Sequence, residues 1–195
     1  TEKGGSIVLL DSNPLDPLWE GRPAEPLEPV VLQPDAVTGV SAGEKVATIS
    51  DIVSSRKAQA VLITDPSSIA WIFNIRGNDV PHTPHPLARA IIYADGKADL
   101  FIEERKLGEE ARAYLAPLAS YFAPTEIAAR LHAIASAAGR ILADTDVTPV
   151  ALTLSITEAG GEVVDAPDPV KLPRACKNAA EIAGSAAAHV QDGAA

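Results

Sequence analysis

Six prolines, Pro14, Pro17, Pro23, Pro26, Pro29 and Pro34, crowd the first forty residues of this 195-residue chain. Proline fixes φ and has no amide to donate, so this stretch holds neither a long helix nor a central strand. A short apolar run over 6–11 is the one regular element expected there, a strand. The remainder reads as an extended linker, and an ordered linker of this kind needs another domain to lie against.

A compact pattern begins near Ser41. Ser41 and Glu44 fit the S-x-x-E capping box. Val46, Ile49 and Val53 then repeat at helical spacing, predicting a helix to about Lys57. Residues 59–64 (QAVLIT) form an apolar run of strand length, and Asp65-Pro66-Ser67-Ser68 opens a new helix or turn. Two strands are expected over 88–93 and 98–103, joined by a hairpin turn at Asp95-Gly96. Helices are expected over 104–115, 125–138 and 148–159, and short strands over 140–143 and 162–165. Pro167, Pro169 and Pro173 then break the chain, and an Ala-rich helix follows over 177–190. Strands alternating with helices predict an α/β fold, a mixed β-sheet flanked by helices, across 41–175. No period of 20–50 residues repeats, which excludes a solenoid.

Composition narrows the function. At 47% hydrophobic residues the chain buries a core and is not disordered throughout. No apolar run approaches the roughly 18 residues of a membrane-spanning helix. With 16 basic against 26 acidic residues the net charge is −10, which makes nucleic acid and anionic membrane poor partners. One cysteine excludes a disulfide within the chain and a Cys-based zinc site, and this usage points to the cytoplasm. The chain starts at Thr1, without a basic then apolar leader, contains no methionine, and stops inside a helical pattern. It is read as a piece of a longer protein.

The densest polar segment, 74–86 (NIRGNDVPHTPHP), is a loop by composition. Asp79, His82 and His85 have side chains suited to Zn²⁺ or Mn²⁺, but three prolines preclude a helix that would gather them, and no metal site is assigned. Arg76, on a loop after an apolar segment, can offer a bidentate fork to a substrate carboxylate or a neighbouring domain. The alternative is an ion pair with Asp79 or another acid. Cys176 has no activating signature, and Ser67-Ser68 lacks the G-x-S-x-G elbow. No glycine-rich phosphate loop is present. The carboxylate pairs Glu103-Glu104 and Glu109-Glu110 read as solvated, and His132 as structural. His189 and Asp192 lack a third partner. By its residues alone the chain carries no complete active site.

Residues 13–23 (NPLDPLWEGRP) resemble the N-P-x-D-x-x-W-x-x-R-P stretch of three-domain Xaa-Pro aminopeptidases, the aminopeptidase P family. Residues 68–84 (SIAWIFNIRGNDVPHTP) resemble the most characteristic segment of that family's second domain, and 175–195 resemble the start of its catalytic domain. His85 and Gln191 depart from the family's usual residues. The resemblance implies three parts: 1–40, the tail of a first domain and its linker; 41–175, a creatinase N-terminal-like second domain; and 176–195, the first helix of a catalytic pita-bread domain. It implies two Mn²⁺ ions in the parent's catalytic domain, bound by two Asp, one His and two Glu, none of them in this chain. It implies two-metal hydrolysis of the bond before proline in peptides, and a homodimeric parent. This chain would then be a non-catalytic domain, inactive alone, whose loop residues Asn74, Arg76, Asp79 and His82 face the substrate cleft. Two other readings stand beside it: a stand-alone binding or dimerisation module, and a domain of a prolidase-like relative.

Overall fold

The computed structural model describes residues 4–6, 8, 10 and 12–194. The strand expected over 6–11 includes residues 7, 9 and 11, which lie outside the described residues. A single 3₁₀ turn, Asp16–Leu18, interrupts the proline-rich segment. There Asp16 takes the Arg22 guanidinium at 2.9 Å, and Arg22 lies 5.4 Å from the Trp19 ring centroid. The three spaced residues of that motif therefore hold one another while Trp19 stays largely exposed.

The regular elements run β1 (Val31–Leu32), α1 (Asp35–Thr38), α2 (Ala42–Ser55), β2 (Ala60–Ile63), α3 (Pro66–Ile72), β3 (Ile75–Arg76), β4 (Ala88–Tyr93) and β5 (Ala98–Ile102). They continue through α4 (Glu109–Leu115), β6 (Ser120–Phe122), α5 (Ile127–Ala135), β7 (Arg140–Ala143), α6 (Val150–Glu158), β8 (Glu162–Asp165), α7 (Lys171–Ala175) and α8 (Ala179–Ala194). Six strands form one sheet in the order β6-β5-β4-β2-β7-β8. β4 is antiparallel to β2 and β5, and the other neighbours are parallel. The sheet is mixed and flanked by helices, as the alternating pattern predicts.

The central strands are covered on both faces, while the edge strands β6 and β8 are partly exposed. Along β2, Val61 and Ile63 face the core under α2, α3 and α4, while Ala60 and Leu62 face the core under α5 and α6. A strand buried on both faces reads as a continuous apolar run, which is why QAVLIT shows no alternation. Each fully buried Ile, Leu or Phe contributes roughly 1.5–3 kcal/mol.

Local signals operate as the sequence indicates. Ser41 Oγ accepts the Glu44 amide at 3.3 Å and Glu44 Oε2 accepts the Ser41 amide at 3.1 Å, completing the capping box. Asp65 Oδ1 caps α3 by accepting the Ser67 amide at 2.9 Å, with Pro66 at the first helical position. The β4–β5 hairpin turns through Gly96 at φ +87°, with open space around it, so conformation alone favours glycine there.

Three expectations change. The helix read over 104–115 is a 3₁₀ turn, Glu104–Lys106, followed by the shorter α4. β1, β3 and β6, of two or three residues, had no periodicity to announce them, and the stretch read as an extended linker also holds the one-turn α1. The proline-broken stretch near 173 contains α7, because Pro173 falls in its first turn, where the missing amide has no helical partner to lose.

Candidate functional site

The loop that follows α3 is built on two backbone features. Asn74 adopts φ +51°, a left-handed conformation that asparagine tolerates better than most residues. Gly77 lies against the returning chain, where an added Cβ would come within 2.8 Å of Pro86 backbone atoms. Between them, β3 pairs with β1 and places Arg76 on the wall of a cleft.

That cleft encloses about 580 Å³ between α1–α2, the α3–β3 segment and α8. Its polar lining includes Lys45, Asn74, Arg76, His85, Arg174, Lys177 and Glu181, with Trp71 as its large apolar side chain. The Lys45 ammonium is buried and donates to Asn74 Oδ1 at 2.6 Å and to the Trp71 carbonyl at 3.0 Å. It also sits 4.2 Å from the centroid of the Trp71 ring, a cation–π contact. Burial pulls its pKa down to about 8, with Arg76 adding to the fall and Glu181 and Asp35 opposing it. Asn74, fully buried, gives its amide hydrogens to the Val40 carbonyl at 3.0 Å and to Asp35 Oδ1 at 3.3 Å.

Arg76 Nη1 donates to the Ala70 and Ile75 carbonyls at 3.1 and 2.9 Å. Burial lowers its pKa, with Glu181 opposing. Burial, and next the Arg76 charge, also hold the His85 imidazole below its usual pKa. Glu181 accepts from Trp71 Nε1 at 3.2 Å and from the Asn178 amide at 3.0 Å. Asn178 Oδ1 in turn accepts the Glu181 amide at 3.0 Å, so the two cap α8 reciprocally. Asn178 also donates to the Thr38 carbonyl at 2.8 Å, beside Gly39, where a Cβ would clash with its side chain. These contacts fix the start of α8 as one wall of the cleft.

The other two loop residues singled out by sequence go elsewhere. Asp79 Oδ2 accepts the Lys106 ammonium at 2.7 Å and the Leu87 amide at 2.6 Å inside the protein, and Asp79 Oδ1 is buried with no hydrogen-bond partner among the described residues. His82 is exposed at φ +61° and does not line the cleft. Arg76 therefore does not pair with Asp79, and Asp79, His82 and His85 are separated. Among the described residues no group of three or more His, Cys, Asp or Glu side chains could hold a metal ion.

Sequence reasoning missed Lys45, Trp71, Arg174, Asn178 and Glu181. Two of these had signals: Lys45 stands four residues before Ile49, on the apolar stripe of α2, and N-x-x-E at 178–181 is a capping pattern. Arg174 had none. It reaches Asp65 at 3.1 Å across 109 residues, within a network that ties the segment after β8 to the carboxyl ends of β2 and β7. There Ser68 Oγ donates to Asp168 Oδ2 at 2.6 Å, and the Asp168 amide and Lys171 ammonium donate to Asp144 at 3.0 and 2.5 Å. Open α/β sheets bind ligands beyond such strand ends; here the chain's own segment bridges them.

A second cleft of about 440 Å³, at the β4–β5 hairpin, differs in charge. Each charged side chain that lines it is already ion-paired, Asp95 with Lys97 and Asp99 with Arg130.

Proteins similar to this chain in sequence and in fold carry aminopeptidase names. A protein named probable Xaa-Pro aminopeptidase P from Aspergillus clavatus is 37% identical over all of this chain, which spans 30% of that protein. Its namesake from Arthroderma benhamiae is 34% identical over 98% of the chain, which spans 28% of it. The crystal structure of X-prolyl aminopeptidase from Caenorhabditis elegans, described as a cytosolic enzyme with a dinuclear active site, superposes with a TM-score of 0.82. The match has 25% identity, over 91% of this chain and 29% of that one. The chain thus spans about 30% of the length of these relatives. The family model of the creatinase/prolidase N-terminal domain matches residues 21–181, and the chain belongs to that family.

Proposed function

We propose that this chain is a non-catalytic domain of a metal-dependent Xaa-Pro aminopeptidase, an enzyme that removes an N-terminal residue preceding proline from peptides. The observation that carries this reading is full-length similarity to proteins of that name, in which the matching region is under a third of the whole. The described residues do not fit a dinuclear metal centre, so no chemical step is assigned to them. Two Mn²⁺ ions are proposed for a separate catalytic domain, α8 for its first helix, and residues 1–40 for the tail of a preceding domain. The C. elegans relative's description as cytosolic supports a cytoplasmic enzyme, and a homodimer is proposed for the whole. Among the described residues no helix is long and apolar enough to cross a membrane.

Within this domain the 74–84 loop is proposed to face the substrate cleft. Arg76 would hold substrate or the adjoining domain. Asn74 and Asp79 would set the loop's course through Lys45 and Lys106, and His82 would stand at its exposed tip.

The test uses the longer protein that carries this domain. It should release the first residue from Xaa-Pro-containing tripeptides and longer peptides, lose activity to a chelator and regain it with Mn²⁺. Hydrolysis confined to Xaa-Pro dipeptides would instead indicate a prolidase, and no cleavage before proline would reject the reading. In that protein Arg76→Ala should lower kcat/KM by about tenfold or more, the scale of one lost charge-assisted contact. A large fall in Tm alongside would make Arg76 structural instead.

A further inference from the structure

The cleft beside α8 carries a charge imbalance that the fold does not explain. Four cations line it, Lys45, Arg76, Arg174 and Lys177, against one carboxylate, Glu181. The chain as a whole carries a net charge of −10, so the local excess runs against its composition. Arg174 is neutralised by Asp65. Lys45, Arg76 and Lys177 enter no ion pair among the described residues. Both Glu181 oxygens are already engaged, by Trp71 and the Asn178 amide.

Arg76 is the more telling of the free cations. A guanidinium has five N–H donors in a fixed fork, and only Nη1 is used here, on two backbone carbonyls. The Nε–Nη2 edge makes no hydrogen bond among the described residues, although the side chain is half-buried. That edge is one of the two that match a carboxylate in bidentate geometry. Lys45 meets only neutral acceptors, an amide oxygen, a carbonyl and a ring face. Leaving charged donors buried and unmatched is costly unless an anion completes them. The cleft volume of about 580 Å³ lies within the roughly 300–1,000 Å³ of small-molecule sites. Trp71 supplies an apolar surface beside the charges.

We propose that this cleft is a carboxylate-binding site, in which the free edge of Arg76 receives the carboxylate of a peptide and the buried Lys45 ammonium adds positive charge behind it. The carboxylate chemistry follows from the cleft itself; the peptide as its bearer rests on the function proposed above. The carboxylate has two sources, the free C-terminus of a bound peptide or an acidic side chain from the rest of the longer protein.

Calorimetric titration of this 195-residue chain with Gly-Pro-Gly and with its C-terminal amide tests the chemistry without any peptidase activity. The free acid should bind at least about tenfold more tightly than the amide, the scale of a lost charge-assisted hydrogen bond. Arg76→Gln should abolish that preference. Arg76→Lys, which keeps the charge and loses the fork, should reduce it. Lys97→Ala, in an ion pair at the hairpin, should leave it unchanged. Equal affinity for acid and amide, or a preference that survives Arg76→Gln in a folded variant, would overturn the proposal. Repeating the titration on the longer protein, with its metal stripped by a chelator so that the peptide is not cleaved, separates the sources. Retained preference assigns the site to a peptide C-terminus. Loss of it there, with binding kept in this chain, assigns the site to an internal carboxylate. A longer protein that binds the acid but cleaves nothing before proline would keep the site and discard the peptidase reading.

Discussion

Two lysines in this domain are buried to nearly the same degree, Lys45 at 2% and Lys106 at 3% exposure, and one loop supplies a partner to each. Lys106 receives the carboxylate of Asp79. Lys45, served five residues earlier in the loop, receives only the amide oxygen of Asn74, a backbone carbonyl and the face of Trp71. The first ammonium is neutralised, although it too lines a pocket, of about 250 Å³. The second keeps its charge on a cleft wall, and its pKa falls to about 8. Burial alone therefore does not separate a structural cation from one available to a ligand; the charge of its partner does.

The comparison is broken most severely on the Lys106 side. Asp79→Ala leaves a buried ammonium without its counter-charge, which costs about 3–5 kcal/mol. Urea denaturation should show that loss as a lower midpoint with little change in slope. The double change Asp79→Leu with Lys106→Met removes both charges together and should recover most of the stability. If the single and double variants are equally destabilised, shape rather than charge holds this end of the loop.

How much of this was legible in the sequence depends on range. The α2 capping box, the Asp65 cap with Pro66 and the Gly96 turn lie within a few residues of the groups they satisfy. Each was readable because a short pattern specifies the bond. The apolar strands β2, β4, β5 and β7 were readable from run length. The partners of the charged residues were not. Lys45 finds Asn74 across 29 residues, Lys106 finds Asp79 across 27, and Ser68 finds Asp168 across 100. No local pattern encodes which acid or amide the tertiary fold brings to a given ammonium. Arg76 was legible as a polar residue on a loop, but the identity of its neighbours required the fold.

On the Lys45 side the effect is one of pH. A lysine whose folded pKa is near 8 and whose unfolded pKa is about 10.4 binds fewer protons in the folded state between those values. Stability attributable to this group therefore rises as pH climbs from about 8 to about 10.4, by up to about 3 kcal/mol, because the penalty of the buried charge is relieved. Lys45→Met should lack that rise, so the difference between the wild-type and variant stability–pH curves should climb through this window. Asn74→Asp sharpens the contrast by giving Lys45 the kind of partner that Lys106 has. It should lift the lysine pKa and shrink the same rise, even though the lost amide donor to Val40 lowers stability overall. A difference curve that is flat through this window in the wild-type comparison would remove Lys45 from the charged wall of the cleft.

The smallest effect belongs to the tip of the same loop. His82 is exposed, makes no side-chain hydrogen bond among the described residues and holds φ +61°, a conformation that disfavours a residue with a Cβ. His82→Gly removes that strain but adds freedom to the unfolded chain, two opposed terms of about 1 kcal/mol each. The net change in stability should stay within about 1 kcal/mol, or roughly 2–4 °C in Tm. Kinetics of the longer protein then isolate the side chain from the backbone. With stability held in that range, any fall in kcat/KM has to come from contacts the imidazole makes beyond this domain. Unchanged kcat/KM would leave Arg76, and not the loop as a whole, as its contribution to the cleft.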